Sequence, residues 1–218
     1  MIQKKKAFFI GVSLVIVFVL WTLLVRLVDV QVIGAQESSV GLAVLNGCVH
    51  KLIGVNISLY KVTDWLGLVP IGVAFGFAIL GLIQWIQRKS FVKVDYSILV
   101  LGGFYIVVMA IYIFFEIVVI NYRPILIGGY LEASYPSSTT MLTMCVMPTA
   151  IMQLRARIKN KIFRRCVVLI IAMFTAFMVI GRVISGVHWI TDIIGGVFIS
   201  AGLVQIYYSI SGLEVPTK

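Results

Sequence analysis

The sequence predicts an all-α membrane bundle of six spanning helices, and three observations lead there. It contains apolar runs of spanning length, its clusters of basic residues lie in the connections between those runs, and its charged fraction is low. Hydrophobic residues make up 61% of the 218 and charged residues 12%, with a mean hydropathy of +1.09. A soluble domain carries about 25% charged residues. A soluble core of this length could not hide so much apolar surface.

A span needs about 20 apolar residues. The first, 7–27, follows Lys4, Lys5 and Lys6. A basic start before an apolar run also fits a signal peptide, but this run is longer than the usual core of about 7–15 residues. Cleavage there would leave the downstream topology unchanged. Segment 38–60 is moderately apolar yet holds Asn46, His50, Lys51 and Asn56, and is read as an amphipathic helix at the outer interface. Counting it as a span would place the later basic clusters outside. The next spans are 66–87, 96–116 and 137–154. The fifth, 166–182, is short and is expected to extend into its flanks. The last, 189–210, contains Asp192 and needs a reason for it.

Orientation follows from the basic residues. Six spans with a cytoplasmic N-terminus place thirteen of the 18 Lys and Arg residues inside, in segments 1–6, 87–95 and 155–165 and the tail. The formal net charge of +10 therefore reads as topology and contact with anionic headgroups, not as nucleic-acid binding. Cys48, Cys145 and Cys166 have no metal or redox spacing. With no repeat, linker or low-complexity tract, residues 1–218 read as one membrane-embedded domain. No oligomeric state follows from the sequence.

Outside the inner connections, the informative polar and charged residues fall in three outer-facing stretches: Asn121–Pro124, Tyr135–Thr140 and Gly181 to Asp192. His188 and Asp192 are four residues apart and share a helix face. A carboxylate on one imidazole nitrogen fixes the tautomer and leaves the other nitrogen free as a nucleophile. The bland alternative is a helix-capping histidine beside a stray aspartate, but an ionisable group inside a span is costly and usually functional. Arg123 and Arg182 are permanently charged forks suited to phosphate oxygens, although Arg123 alone could be an interfacial anchor. Pro136, Ser137 and Ser138 can open a helix whose free N–H groups meet an anion. Alone, they are the ordinary start of a span.

These residues resemble the motifs of the type 2 phosphatidic-acid phosphatase family, whose fold is shared with vanadium haloperoxidases. The family pattern is Lys-x6-Arg-Pro, then Pro-Ser-Gly-His, then Ser-Arg-x5-His-x3-Asp. Here the third motif reads Gly181-Arg182-x5-His188-x3-Asp192, followed by Gly195-Gly196. The first keeps Arg123-Pro124 and the second Pro136-Ser137. The resemblance implies a phosphohistidine formed on His188, oriented by Asp192. It implies phosphate oxygens held by Arg123, Arg182, Ser137 and Ser138, with no metal or cofactor, because the arginines do that work. It implies a phosphorylated lipid as substrate, and a small chain of this kind suits a bacterial plasma membrane.

Three positions depart from the pattern. Glu116 replaces the motif lysine, and repels phosphate unless protonated or paired with Arg123. Thr139 replaces the histidine that in the family protonates the leaving group, and Gly181 replaces the serine. Three readings follow. The substrate is a lipid diphosphate, such as a polyprenyl diphosphate, whose phosphate leaves without an acid. Or another carboxyl, Glu116 or Glu132, serves as the acid. Or the chain is a degenerate member that binds a phosphorylated lipid or partner protein without turnover. A transporter or a structural membrane protein would explain the spans but not the convergence of His188, Asp192, Arg123 and Arg182.

Elsewhere the bland readings hold. His50 could face the pocket, but reads first as a solvated or interfacial histidine. Trp65, Trp85 and Trp189 read as interfacial anchors, and Asp64 and Asp95 as helix caps. Pro148 reads as a kink, and Met141, Met144 and Met147 as packing.

Overall fold

The computed structural model describes residues 2–213, and the C-terminal tail with Lys218, expected inside, lies outside them. The described chain is built from α1 (Ile2–Leu27), α2 (Ala43–Ile53), α3 (Ile57–Leu66), α4 (Leu68–Arg88), α5 (Tyr96–Ile117), α6 (Ser138–Arg157), α7 (Lys161–Ser185) and α8 (Ile190–Ile210). Gly67 keeps a right-handed helical backbone, so α3 and α4 run on as one segment of 32 residues, Ile57–Arg88.

Among the described residues, five helical segments are long and apolar enough to cross a membrane: α1, α3–α4, α5, α7 and α8. The protein is an integral membrane protein. The sixth expected span corresponds to α6, whose 20 residues reach about 30 Å. Its composition is not that of a lipid-facing helix, since it holds four threonines, Gln153, Arg155 and Arg157. The reason is its place. It packs against α4, α5, α7 and α8, and Thr140, Met141, Thr143, Cys145, Thr149 and Gln153 are all buried. Neighbouring helices take the place of lipid and satisfy its polar groups, as where Thr149 Oγ1 donates to the Cys145 carbonyl at 2.8 Å.

α1 lies along α8, and glycines let the two backbones meet. A Cβ on Gly11 would stand 2.8 Å from the Gly202 carbonyl oxygen. Small residues at such crossings allow the close approach on which helix association in lipid depends. α7 extends beyond the expected 166–182 at both ends. Asn160 caps its start by accepting from the backbone N–H groups of Ile162 and Phe163.

The segment expected as one amphipathic helix, 38–60, is instead broken. A short antiparallel pair, β1 (Gln31–Val32) with β2 (Ser39–Val40), precedes α2, and α2 is separated from α3 at Gly54. Gly54 adopts φ +70°, which a side chain would resist. The Asn56 side chain then accepts from Leu59 N–H at 2.9 Å to start α3, while Asn56 N–H donates to the Ser185 carbonyl at the end of α7. The break thus ties α3 to α7.

The two ends of the bundle carry different polar clusters. At one end Asp95 was expected to cap α5, but its side chain makes no cap hydrogen bond. It pairs instead with Arg88 at 2.9 Å and Arg157 at 3.4 Å and accepts from Gln84 at 2.8 Å. Gln153 donates to the Ser97 carbonyl at 2.9 Å and reaches the Tyr207 hydroxyl. The opposite end holds the C-termini of α3, α5 and α7, the N-termini of α6 and α8, and every motif residue singled out above.

Candidate functional site

The turn from α7 to α8 builds the first half of the site. Gly186 ends α7 in the left-handed conformation, φ +64°. A Cβ there would fall 1.9 Å from the Gly54 carbonyl oxygen, so only glycine permits the turn and the contact. Two residues later His188 is buried, with 5% of its surface exposed. Its Nδ1 lies 3.2 Å from the Ser134 carbonyl oxygen and 3.7 Å from Asp192 Oδ2. Its Nε2 has no hydrogen-bond partner. An Nδ1–H donated to Ser134 leaves the Nε2 lone pair free.

Asp192 is fully buried and has a second task. Its Oδ2 accepts from the Trp189 backbone N–H at 2.9 Å, closing the first turn of α8, and its Oδ1 accepts from Asn121 Nδ2 at 3.4 Å. That accounts for a carboxylate inside the last expected span: it caps the helix as well as facing His188. Trp189, expected as an interfacial anchor, is 2% exposed and donates from Nε1 to the Tyr122 carbonyl at 2.7 Å. Gly195 makes room for the next element, because a Cβ there would lie 2.7 Å from the Tyr135 ring.

The arginines form the second half. Arg123, 8% exposed, sits 3.1 Å through Nε from Glu132 Oε2. The contact lies off the N–H direction, so Arg123 Nε and Nη1 make no hydrogen bond. The carboxylate beside Arg123 is therefore Glu132, and Glu116 is exposed at the end of α5. Arg182, 1% exposed, donates through Nη2 to Asp64 Oδ1 at 3.1 Å and to Thr139 Oγ1, and through Nη1 to Thr63 at 3.4 Å. Its Nε has no partner. Asp64, expected as a cap, is thus an ion-pair partner. Both guanidinium carbons lie over the ring of Tyr60, Arg182 at 4.9 Å and Arg123 at 5.7 Å from its centroid.

Ser137 precedes α6, and its buried Oγ has no partner, while its N–H donates to the Asp192 carbonyl at 3.0 Å. Ser138 and Thr139 follow in the first turn, whose N–H groups have no acceptor within the helix. Gly181 has its own explanation. A Cβ there would stand 2.8 Å from Thr63 Cγ2, so α3 and α7 meet too closely for serine. His50, expected at the interface, instead packs against Trp189 with the rings tilted and their centroids 5.4 Å apart, and lines, with His188, a cavity of about 10 Å³.

Burial and the neighbouring Arg123 and Arg182 charges hold the His188 pKa well below its ordinary 6.5, against the opposing pull of the Ser134 carbonyl. Burial also lowers that of His50. A neutral imidazole with a free nitrogen stands near two buried guanidiniums with unmatched N–H groups. That arrangement can hold a many-oxygened anion and attack its central atom. Beside it, a cavity of about 340 Å³ runs between α4, α5 and α6. Asp64, Ser138 and Thr139 are at its polar end, with Ile71, Met109 and Leu142 in its apolar part.

The fold and this cluster define an integral membrane protein with a buried histidine and two buried arginines at one end of the bundle. Residues 121–215, which carry all three motifs from Asn121 onward, match the family model described as PAP2 superfamily. The matched stretch holds Arg123, Ser137, Arg182, His188 and Asp192, the residues whose motifs resemble the type 2 phosphatidic-acid phosphatase family. Among solved structures, the chain is similar to the first transmembrane PAP2 type phosphatidylglycerolphosphate phosphatase from Bacillus subtilis. The identity is 21% and the TM-score 0.48, covering 91% of this chain and 93% of that one. No curated protein matches the chain.

Four contributors were not read as site residues from the sequence: Ser134, Tyr60, Asp64 and Asn121 as the partner of Asp192. Only Asn121 had a signal, its place beside Arg123-Pro124.

Proposed function

We propose that this protein is a membrane lipid phosphatase that transfers a phosphoryl group to His188 Nε2. One observation carries the reading: the unpartnered N–H groups of two buried arginines lie at the same end of the bundle as the unpartnered Nε2 of a neutral histidine. Phosphate oxygens accept from Arg123, Arg182, Ser137 Oγ and the first-turn N–H groups of α6. The Nε2 lone pair attacks phosphorus, and the bond to the leaving oxygen breaks. Water then attacks the phosphohistidine, releasing phosphate and neutral His188. The guanidiniums stabilise the charge on the transferring group in both steps.

The preferred substrate is a lipid diphosphate such as a polyprenyl diphosphate, whose leaving phosphate needs little help from an acid. Thr139 supports this choice, because a threonine hydroxyl cannot donate a proton near neutral pH. The 218 residues act as one unit with α6 as the sixth span, both termini cytoplasmic, the site at the outer face of a bacterial plasma membrane. The basic connections 88–93 and 155–165, at the end opposite His188, support that orientation.

The test is phosphate release by the purified protein in detergent, with polyprenyl diphosphate, polyprenyl monophosphate and phosphatidic acid compared and His188→Ala as control. Release from the diphosphate that vanishes in the variant is the expected result. The alternative, a degenerate member that binds a phosphorylated lipid without turnover, is favoured by the hold of Asp64 and Thr139 on Arg182. It predicts no His188-dependent release from any of the three.

A further inference from the structure

We infer that Asp64 is the acid–base residue of this site; the inference rests on the lipid-phosphatase reading above. The carboxyl belongs to none of the three motifs and comes from the end of α3, far from them in sequence. Its Oδ1 accepts from Arg182 Nη2 at 3.1 Å, and the same nitrogen donates to Thr139 Oγ1. The guanidinium is buried, whereas the Asp64 side chain is 54% exposed and open to reactants. Asp64, Thr139 and Ser138 together form the polar end of the apolar cavity between α4, α5 and α6. A phosphoryl group on Arg182 therefore has Asp64 on the side where an apolar leaving group lies.

The other carboxyls are placed differently. Asp192 is taken up by Trp189 and Asn121. Glu132 stands beside Arg123 and does not line that cavity. Glu116 lines a separate cavity of about 10 Å³ and forms no ion pair among the described residues.

The chemistry balances over one cycle. The first step starts with the acidic proton of the bound phosphate monoester passed to Asp64, whose oxygen lies 3.1 Å from the Arg182 guanidinium. As His188 Nε2 bonds to phosphorus and the P–O bond breaks, the leaving oxygen takes the Asp64 proton. Water then attacks phosphorus, Asp64 accepts the water proton, and the P–N bond breaks. Asp64 ends protonated and His188 neutral, with phosphate released beside the lipid alcohol from a monoester or the lipid monophosphate from a diphosphate.

Asp64→Asn keeps an acceptor for Arg182 but has no proton to exchange, and Asp64→Glu keeps the carboxyl. Both variants are compared with wild type on phosphatidic acid and polyprenyl diphosphate by rapid quench, with inorganic phosphate as competitive inhibitor. In the asparagine variant, release from the monoester falls by about 10²–10⁴-fold. Phosphoenzyme formation from the diphosphate falls by less than about tenfold, and the phosphoenzyme accumulates because its hydrolysis has lost a base. The glutamate variant recovers part of the loss. Wild-type rates in Asp64→Asn overturn the assignment and leave the phosphatase reading intact. So does an equal loss on both substrates accompanied by weaker inhibition by phosphate, which means Asp64 only positions Arg182. Absence of His188-dependent release in the wild type overturns both.

Discussion

The Nδ1 of His188 is nearer to the carbonyl oxygen of Ser134, at 3.2 Å, than to the Asp192 carboxylate, at 3.7 Å. A backbone carbonyl can only accept, so Ser134 favours the tautomer that frees Nε2 even without the carboxylate. Where a carboxylate sets the tautomer by itself, its amide replacement lowers turnover by about 10⁴-fold. Asp192→Asn keeps an oxygen for the Trp189 N–H and leaves Ser134 in place. It should lower phosphate release by only about 10–100-fold, measured as kcat on the preferred substrate. A loss equal to that of His188→Ala would show that Asp192 sets the tautomer after all.

Tyr60 brings Arg123 and Arg182 against one ring. Cation–π contacts of this kind contribute about 0.5–2 kcal/mol. Tyr60→Phe keeps the ring and should leave inhibition by inorganic phosphate unchanged. Tyr60→Ala should raise the inhibition constant by roughly 3–30-fold. Equal effects from both substitutions would assign the role to the hydroxyl.

Gly181→Ser restores the family residue at that position and should be destabilising here. The new Cβ meets Thr63 Cγ2 at 2.8 Å, and overpacking of this kind costs about 1–3 kcal/mol. The thermal midpoint in detergent should fall, and Thr63→Ala in the same chain should restore most of it. An unchanged midpoint for Gly181→Ser alone would show that α3 shifts without penalty.

Burial, then the Arg123 and Arg182 charges, keep His188 neutral to a pH well below 6.5. Its acid limb in kcat/KM should therefore lie below pH 6.5, where the free enzyme finally takes up the proton. The sign for stability is the same. The unfolded chain binds that proton near pH 6.5 and the folded one does not, so native stability falls as the pH drops below 6.5. An acid limb at or above 6.5 would contradict a buried, neutral nucleophile.

Legibility in the sequence followed the solvent each residue meets. α1, α4, α5 and α7 carry exposed apolar faces, and α8 is a mostly apolar helix at the centre, so their runs stand out from the basic connections. α6 was found as an uncharged run, yet its threonines and Gln153 make sense only once its helical neighbours are seen. The motif residues were legible because local spacing ties His188 to Asp192. Asp64, Tyr60 and Ser134 were not, because they arrive from the broken outer segment and the α5–α6 connection. What brings them in is tertiary packing: Asn56 on the end of α7, Thr63 against Gly181, and Tyr135 against Gly195. No period or spacing records those contacts. Trp189 was misread for the same reason, as a residue near a span end that the outer segment covers, with His50 packed against it.

The most direct test of the central claim is to trap the intermediate. The purified protein is mixed with terminally labelled polyprenyl diphosphate, quenched in base within one turnover, and digested to locate the label. The result expected is a base-stable, acid-labile label on the peptide containing His188, absent from His188→Ala. Phosphate release at the wild-type rate from His188→Ala, or a label on any other residue, would contradict it.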